Sequence, residues 1–241
     1  MYKDKKMKYA IIAAGEGSRL AHEGMTVPKP LVMIDGEPMI DRLIRIFLAQ
    51  GATEIDVICR ERDVQTCHHL RQLQQNPDVP LRFIAKDTPS SMHSLHELSP
   101  FLQDSSFILT TVDTIFREYE FAQYVSEFRR VLASGEADGL MAVTGYIDDE
   151  SPLYVKTDAT LRIMSFRDSD PQPRYISGGI YGLTPRSLTT LRQCIARGES
   201  RMRNFQRALL ADNLRLWAYP FTKILDIDHR ADISKANRFL Q

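Results

Sequence analysis

The chain has 241 residues, 43% apolar and 26% charged, the balance of an ordinary folded protein with enough length for a generous core. Lys plus Arg and Asp plus Glu are equal at 31 each, so no overall field draws it to nucleic acid or to an acidic membrane. Any anion it binds must be recognised locally.

Cys59, Cys67 and Cys194 are odd in number and lack a C-x-x-C spacing, which argues against a disulfide framework or a zinc site and for a reducing cytoplasm. The opening MYKDKKMKYAIIAAG imitates a signal peptide, but its apolar run is short and ends in a glycine loop. It reads as a solvated tail leading into a strand, and no stretch approaches bilayer-spanning length.

In chain order, YAIIAAG is a continuous apolar run, as expected of a strand buried on both faces, and EIDVICR, LRFIAKD and SFILTTVD follow at crossover-helix spacing. This pattern predicts a mainly parallel sheet with helices on both sides. The first helix starts at Pro38, with Met39, Ile40, Leu43 and Phe47 at helical spacing, Asp41 in its first turn and Gly51 closing it. Phe121, Val125, Phe128 and Leu132 mark another helix over 119–134. After residue 140, GLMAVTGY, LYVKTD, LRIMSFRD and YISGGIYGL read as strands, 185–213 as two helices, LRLWAYPFTKILDID as a strand and RADISKANRFLQ as a closing helix. A single domain over 1–241 is expected, with a soft boundary between parts at about 7–140 and 141–241.

Chemistry concentrates in AAGEGSR, where Gly15 and Gly17 permit positive φ and bare backbone N–H groups that converge on phosphate oxygens, with Arg19 adding a fork of donors. The stretch is neither a Walker A loop nor a complete dinucleotide fingerprint. Ten residues on, Lys29 lies between two prolines, which are expected to hold its backbone extended and lower the entropy lost when its ammonium meets an anion. In FILTTVDTIF, Asp113 follows an apolar run, where ligands of an open α/β sheet bind.

IIAAGEGSRL followed by VPKPLVMIDGEPMIDRLI resembles the N-terminal signature of the sugar-phosphate nucleotidyltransferases, roughly A-A-G-x-G-x-R-L, P-K-P-L and G-x-P-M-I. The resemblance implies a GT-A-like, Rossmann-like α/β fold with a smaller acceptor-binding lobe. Ala13, Ala14, Gly15, Gly17, Ser18 and Arg19 would wrap a nucleoside triphosphate and Lys29 would sit near its α-phosphate, which makes Arg19, Lys29 and Asp113 the candidate catalytic residues. Transfer between two phosphates calls for a divalent cation, Mg²⁺, held by one or two carboxylates. Asp113 corresponds to one family ligand. ILDIDHRADISKA resembles the D-x-G-T-P pattern of the second, with Asp226 at the ligand position, Asp228 in place of glycine and His229-Arg230 in place of Thr-Pro, so either carboxylate could serve as the second metal ligand, Asp226 being favoured. Asp228 is also placed to cap the closing helix.

In DTPSSMHSLHEL, Ser91 and Ser94 match the segment that touches the base, although Ser90 or Ser91 is equally placed to cap a helix. YISGGIYGL matches a strand that approaches the acceptor, assigning Ser177, Gly178 and Gly179 to it; paired glycines also mark bulges. MSFRDSDPQPR lacks the family's Glu-Lys-Pro, leaving Arg167 or Arg174 as the acceptor's anion donor. The six histidines show no ligand spacing and read as surface or core residues.

The implied reaction is transfer of a nucleoside monophosphate from the triphosphate to a phosphorylated small molecule, foremost a sugar 1-phosphate, with release of pyrophosphate. A phosphocholine or other alcohol-phosphate cytidylyltransferase, a metal-dependent glycosyltransferase and a non-catalytic nucleotide-binding module are the alternatives. A homo-oligomer is compatible with each; nucleic acid and membrane partners are not expected.

Overall fold

Alternate side chains of the first strand enter two different cores, which is why its sequence is apolar without a break: Tyr9, Ile11 and Ala13 pack on one side of the sheet, Ala10, Ile12 and Ala14 on the other. The computed structural model describes residues 7–241, so most of the lysine-rich tail expected above lies outside them. The elements are β1 (Lys8–Ala13), α1 (Ser18–His22), β2 (Met33–Ile34), β3 (Glu37–Pro38), α2 (Met39–Ala49), β4 (Ile55–Cys59), α3 (Val64–Gln74), β5 (Leu81–Ala85), α4 (Ser91–Leu102), β6 (Phe107–Thr111) and β7 (Thr114–Ile115). They continue as α5 (Glu118–Ser134), β8 (Gly139–Thr144), β9 (Tyr154–Thr157), β10 (Ile163–Arg167), β11 (Ile176–Leu183), α6 (Ser187–Ala196), α7 (Met202–Ala211), β12 (Leu216–Phe221), β13 (Leu225–Asp226) and α8 (Arg230–Leu240).

β5, β4, β1 and β6 run parallel side by side. β11 then pairs antiparallel with β6 and β8, β12 lies parallel to β8, and the β9–β10 hairpin joins at the start of β11. The result is a mixed α/β sheet whose first half is the expected parallel one. α2, α3, α5 and α8 cover one face, and α4, α6 and α7 the other. An aromatic ladder fixes the first face: Tyr9 to Phe47 at 4.7 Å between ring centroids, Phe47 to Phe121 at 5.6 Å and Phe121 to Phe116 at 5.0 Å. Burying each such side chain contributes about 1.5–3 kcal/mol.

α2 begins as expected, with Pro38 at its N-cap, Asp41 in its first turn and Gly51 at φ +76° after its end. α5 likewise stops at Gly135 in the left-handed region. Three features differ from the sequence reading. Five-residue α1 precedes α2, too short to show periodicity. The expected strand over 214–228 is two strands: the buried carboxylate of Glu120 accepts hydrogen bonds from Thr222 N at 2.7 Å and Thr222 Oγ1 at 3.0 Å, catching the chain as it leaves the sheet. Beyond it β13 pairs with β7 instead. Finally, Cys59 and Cys67, unrelated by any motif, bring their Sγ atoms to 3.6 Å as buried free thiols. No described helix is long and apolar enough to cross a membrane.

At the far edge, buried Asp138 joins the starts of β8 and β12 by accepting hydrogen bonds from Arg215 N at 2.8 Å and Arg215 Nε at 3.2 Å, with Arg186 Nη1 at 3.3 Å. Burial opposes ionisation, but these donors outweigh it and hold the carboxyl below its ordinary 3.8. A depressed folded-state value makes the contribution complete above 3.8 and removes it as pH falls through the folded value. Asp138→Asn should therefore lower stability at pH 7 by about 1.5–3 kcal/mol, typical of hydrogen bonds to charged groups, and flatten the acid limb; urea titrations from pH 7 down to pH 3 measure both.

Candidate active site

The loop after β1 and the loop after β6 emerge side by side, since β1 and β6 are parallel neighbours and Val112 N donates to Ile12 O at 3.0 Å. This sets AAGEG against Asp113. Gly17 alone of the two loop glycines has positive φ, +60°, and a Cβ there would come within 3.1 Å of Lys29 Cβ. The glycine loop and the lysine thus touch, and the missing side chain makes room. Gly15 keeps an ordinary φ and faces open space.

Lys29 is not extended as expected. It opens a 3₁₀ turn, Lys29–Leu31, closed by Leu31 N donating to Pro28 O at 2.9 Å, a bond that needs no N–H from Pro30. The flanking prolines stiffen this turn. The Lys29 side chain, 10% exposed, donates to Asp113 Oδ2 at 2.5 Å and to Asp228 Oδ1 at 2.9 Å. Burial alone would lower its ammonium, but the two carboxylates raise it above its ordinary value. Burial likewise works against ionised Asp113, and Lys29 overcomes it, with help from the Thr111 hydroxyl.

Asp226 arrives by the small ribbon: it lies opposite Thr114 in the β7–β13 pair, and Ile227 N donates to Asp113 O at 3.1 Å. Its carboxyl is open to water yet ringed by protein, and that partial desolvation, followed by the charges of Asp113 and Asp228, pushes it up to about 8. No hydrogen bond or ion pair among the described residues engages it. Asp228 has both oxygens occupied, Oδ2 pairing with Arg19 Nη1 at 2.9 Å. Its side chain is not the cap of α8; His229 holds the N-cap position, its backbone N donating to Asp232 Oδ2 at 2.8 Å.

Two cavities meet at this cluster. One, of about 330 Å³, is lined by Ala13, Ala14, Gly15, Lys29, Ser91, Ser94 and Asp113, with Glu16, Thr88 and Thr111 added by the fold. The other, of about 180 Å³, is lined by Arg19, Tyr146, Asp148, Asp149, Glu150, Ser177, Gly178, Asp226, Asp228, His229, Asp232 and Lys235. Arg19, Lys29 and Asp113 therefore belong to one connected cluster, but Arg19 stands on the second cavity's side and Ser18 lines neither. Ser90 holds the N-cap position of α4 while its hydroxyl bonds His93 Nδ1 at 2.9 Å; Ser94 is buried, its hydroxyl 2.7 Å from that of Thr88.

The residues assigned to the acceptor divide: Ser177 and Gly178 line the second cavity, Gly179 and Arg167 do not. Gly178 and Gly179 form a bulge in β11, where register shifts between Ser177 and Tyr181. A Cβ at Gly178 would strike Ile224 Cδ1, and one at Gly179 would meet Thr114 Oγ1 at 2.8 Å, so packing explains both glycines and only Gly178 reaches the cavity. Arg167 lines neither cavity: it is exposed on β10 and donates to Ser165 Oγ at 3.1 Å. Arg174 also lines neither, stacking over Tyr175 with 5.0 Å to the ring centroid. Strand alternation was the missing constraint for Arg167. His229, read from sequence as ordinary, lies in the cavity wall.

A family model for the MobA-like NTP transferase domain matches residues 9–209. The chain belongs to that family. Mannose-1-phosphate guanyltransferase of Schizosaccharomyces pombe is 26% identical over 193 residues, 76% of this chain and 51% of that protein, so the chain spans about half the length of this relative. A solved structure assigned as a glucose-1-phosphate thymidylyltransferase from Bacillus anthracis superposes with a TM-score of 0.83 at 19% identity, over 97% of this chain and 94% of that one. CTP:phosphocholine cytidylyltransferase from Streptococcus pneumoniae superposes with a TM-score of 0.76 at 16% identity, over 98% and 100%. These likenesses place the fold of the MobA-like domain among nucleotidyltransferases, as the sequence resemblance implied.

Because its side chain lies outside both cavities, Arg167→Ala in this domain should leave the KM of any acceptor unchanged within twofold. Steady-state kinetics with varied acceptor check this.

Proposed function

We propose that this protein transfers a nucleoside monophosphate from a nucleoside triphosphate to a phosphorylated small molecule and releases pyrophosphate. The observation that carries the reading is the position of Lys29: its ammonium stands where the two cavities adjoin, in the wall of one and bonded to Asp228 in the wall of the other. The cavity with Ala13–Gly15, Ser91 and Ser94 suits the nucleoside, leaving the second for the body of the acceptor, with the phosphates of both meeting at Lys29 and Arg19 between them. An oxygen of the acceptor phosphate, already ionised near neutrality, forms a bond to the α-phosphorus. The bond to the β-phosphate bridging oxygen breaks in line, and its electron pair leaves on pyrophosphate. Lys29 and Arg19 offset the charge that builds as two anions meet. The protein's part is to orient and neutralise, so no general base is required.

A divalent cation fits the donor set. Mg²⁺ needs only one or two protein carboxylates beside its waters, and Asp113 and Asp226 supply hard oxygens in adjacent ribbon positions. The unpaired Asp226 carboxyl, pushed up by desolvation and then by its acidic neighbours, holds a proton that such an ion would displace, taking up the carboxylate it leaves. No group of three or more His, Cys, Asp or Glu among the described residues is arranged to hold a metal, and Asp228 is committed to Lys29 and Arg19. When bound, Mg²⁺ would supply charge neutralisation for the phosphates.

A sugar 1-phosphate is the first acceptor class, supported by the similarity to the guanyltransferase. A second reading has its own observation: six carboxylates, Asp148, Asp149, Glu150, Asp226, Asp228 and Asp232, line the acceptor cavity with Tyr146, a setting that suits a phosphorylated acceptor carrying an ammonium group. Pyrophosphate release across the four nucleoside triphosphates, with mannose 1-phosphate, glucose 1-phosphate and phosphocholine as acceptors, separates the two. Release of nucleoside diphosphate without pyrophosphate would overturn both.

Lys29→Met should reduce kcat by roughly 10²–10³-fold, the effect of removing one preorganised electrostatic donor, and change triphosphate KM less. Asp226→Asn should abolish Mg²⁺-stimulated turnover, and EDTA should do so reversibly in the wild type; a variant that keeps full Mg²⁺ dependence would remove Asp226 from the metal site.

A further inference from the structure

Residues 228–230, where the chain departs most from the pattern its sequence resembles, all contact the short helix that follows the glycine loop. Asp228 Oδ2 pairs with Arg19 at 2.9 Å. Glu23, at the end of α1, accepts from His229 Nδ1 at 2.6 Å and from Arg230 N at 2.7 Å, and its carbonyl accepts from Arg230 Nη1 at 3.2 Å. These contacts differ in kind. The Glu23 contacts clasp the end of α1 to the start of α8 through the Glu23, His229 and Arg230 side chains and lie at the edge of the cavity. The Asp228 contacts bind the two cations assigned to phosphate, with one oxygen on each.

Resting on the nucleotidyl-transfer reading, we propose that Asp228 is an internal stand-in for the triphosphate, holding Lys29 and Arg19 near their working positions and giving them up to phosphate oxygens when nucleotide enters. Three features support it. Asp228 sits on a rigid base, since Asp228 N and His229 N both donate to Asp232 Oδ2, at 3.2 and 2.8 Å. Arg19 is about half exposed and has among the described residues, apart from Asp228, only Glu150 at 3.7 Å as an acidic partner, so without the stand-in its long side chain is little restrained. Lys29 keeps Asp113 after the exchange and stays anchored, and the Glu23 clasp keeps α1 docked while Arg19 changes partner.

An internal anion that competes with the substrate preorganises the cations and weakens net binding of triphosphate and of departing pyrophosphate. Asp228 acts through Lys29 and Arg19 and is a positioning residue. Its removal should tighten phosphate binding, where removal of a metal ligand or of a structural prop would weaken it.

The test is calorimetric titration with inorganic tripolyphosphate in EDTA, which takes base, acceptor and metal out of the measurement. Asp228→Asn should bind roughly tenfold more tightly than wild type, the scale of one charge-assisted hydrogen bond released from competition, and with a steeper salt dependence. Lys29→Met should bind several-fold more weakly than wild type. In turnover, Asp228→Asn should lower triphosphate KM and kcat together as pyrophosphate leaves more slowly. Asp228→Gly provides a second charge-free variant should the asparagine protein not fold. Equal or weaker binding in the charge-free variant, with Lys29→Met still defective, overturns the stand-in and leaves the nucleotide reading intact. Absence of tripolyphosphate binding in wild type and Asp228 variants alike overturns both.

Discussion

One ammonium held between two carboxylates organises this molecule's working end. Lys29 reaches Asp113 from the centre of the sheet and Asp228 from the start of the last helix, and it is nearly buried while doing so. Such a group is tolerated in a protein interior only when paired and hydrogen-bonded, so the surroundings are constrained to supply both acids. Gly17 lacks a side chain where Lys29 passes, the proline-flanked turn fixes the lysine's origin, and the β7–β13 ribbon brings the segment 226–228 alongside Asp113. Weakening any of these leaves a charge in poor solvent.

The two cavities on either side of that ammonium have opposite characters. The one beneath the glycine loop is walled by small apolar residues and hydroxyls, as suits a flat heterocycle and ribose. The other is walled largely by carboxylates, most already paired: Asp148 and Asp232 with Lys235, Glu150 with His229, and Asp228 with Arg19 and Lys29. A phosphorylated ligand entering there meets acids unless cations rearrange or a metal ion accompanies it. The exchangeable pairing of Asp228 and the unpaired state of Asp226 are two responses to the same excess of negative charge.

What the sequence made legible follows the range of the forces involved. The unbroken apolar run of β1, the helical spacing in α2 and α5 and the glycine loop beside a lysine are local patterns, and each reappears in the structure. The strand-end position of Asp113 was readable because an apolar run that stops at an acid is itself local. What the sequence did not show involves contacts between distant segments. Arg167 looked like a cation near an acceptor strand, but the direction in which a strand residue points depends on a register that spacing in an irregular stretch does not fix. His229 looked ordinary because its partner Glu23 lies 206 positions away. The glycines of β11 suggested ligand approach, and the fold packs Ile224 and Thr114 against them while leaving Gly178 in the wall of the second cavity.

The two-residue ribbon joining β7 to β13 also bears on how the protein comes into being. Lys29 and Asp228 are separated by 199 positions, so the pair closes a very long loop. Loop-closure entropy makes such contacts slow to form relative to the neighbouring parallel strands. The glycine loop is thus local structure, whereas the balancing of its charges depends on a contact that is among the entropically most costly to close.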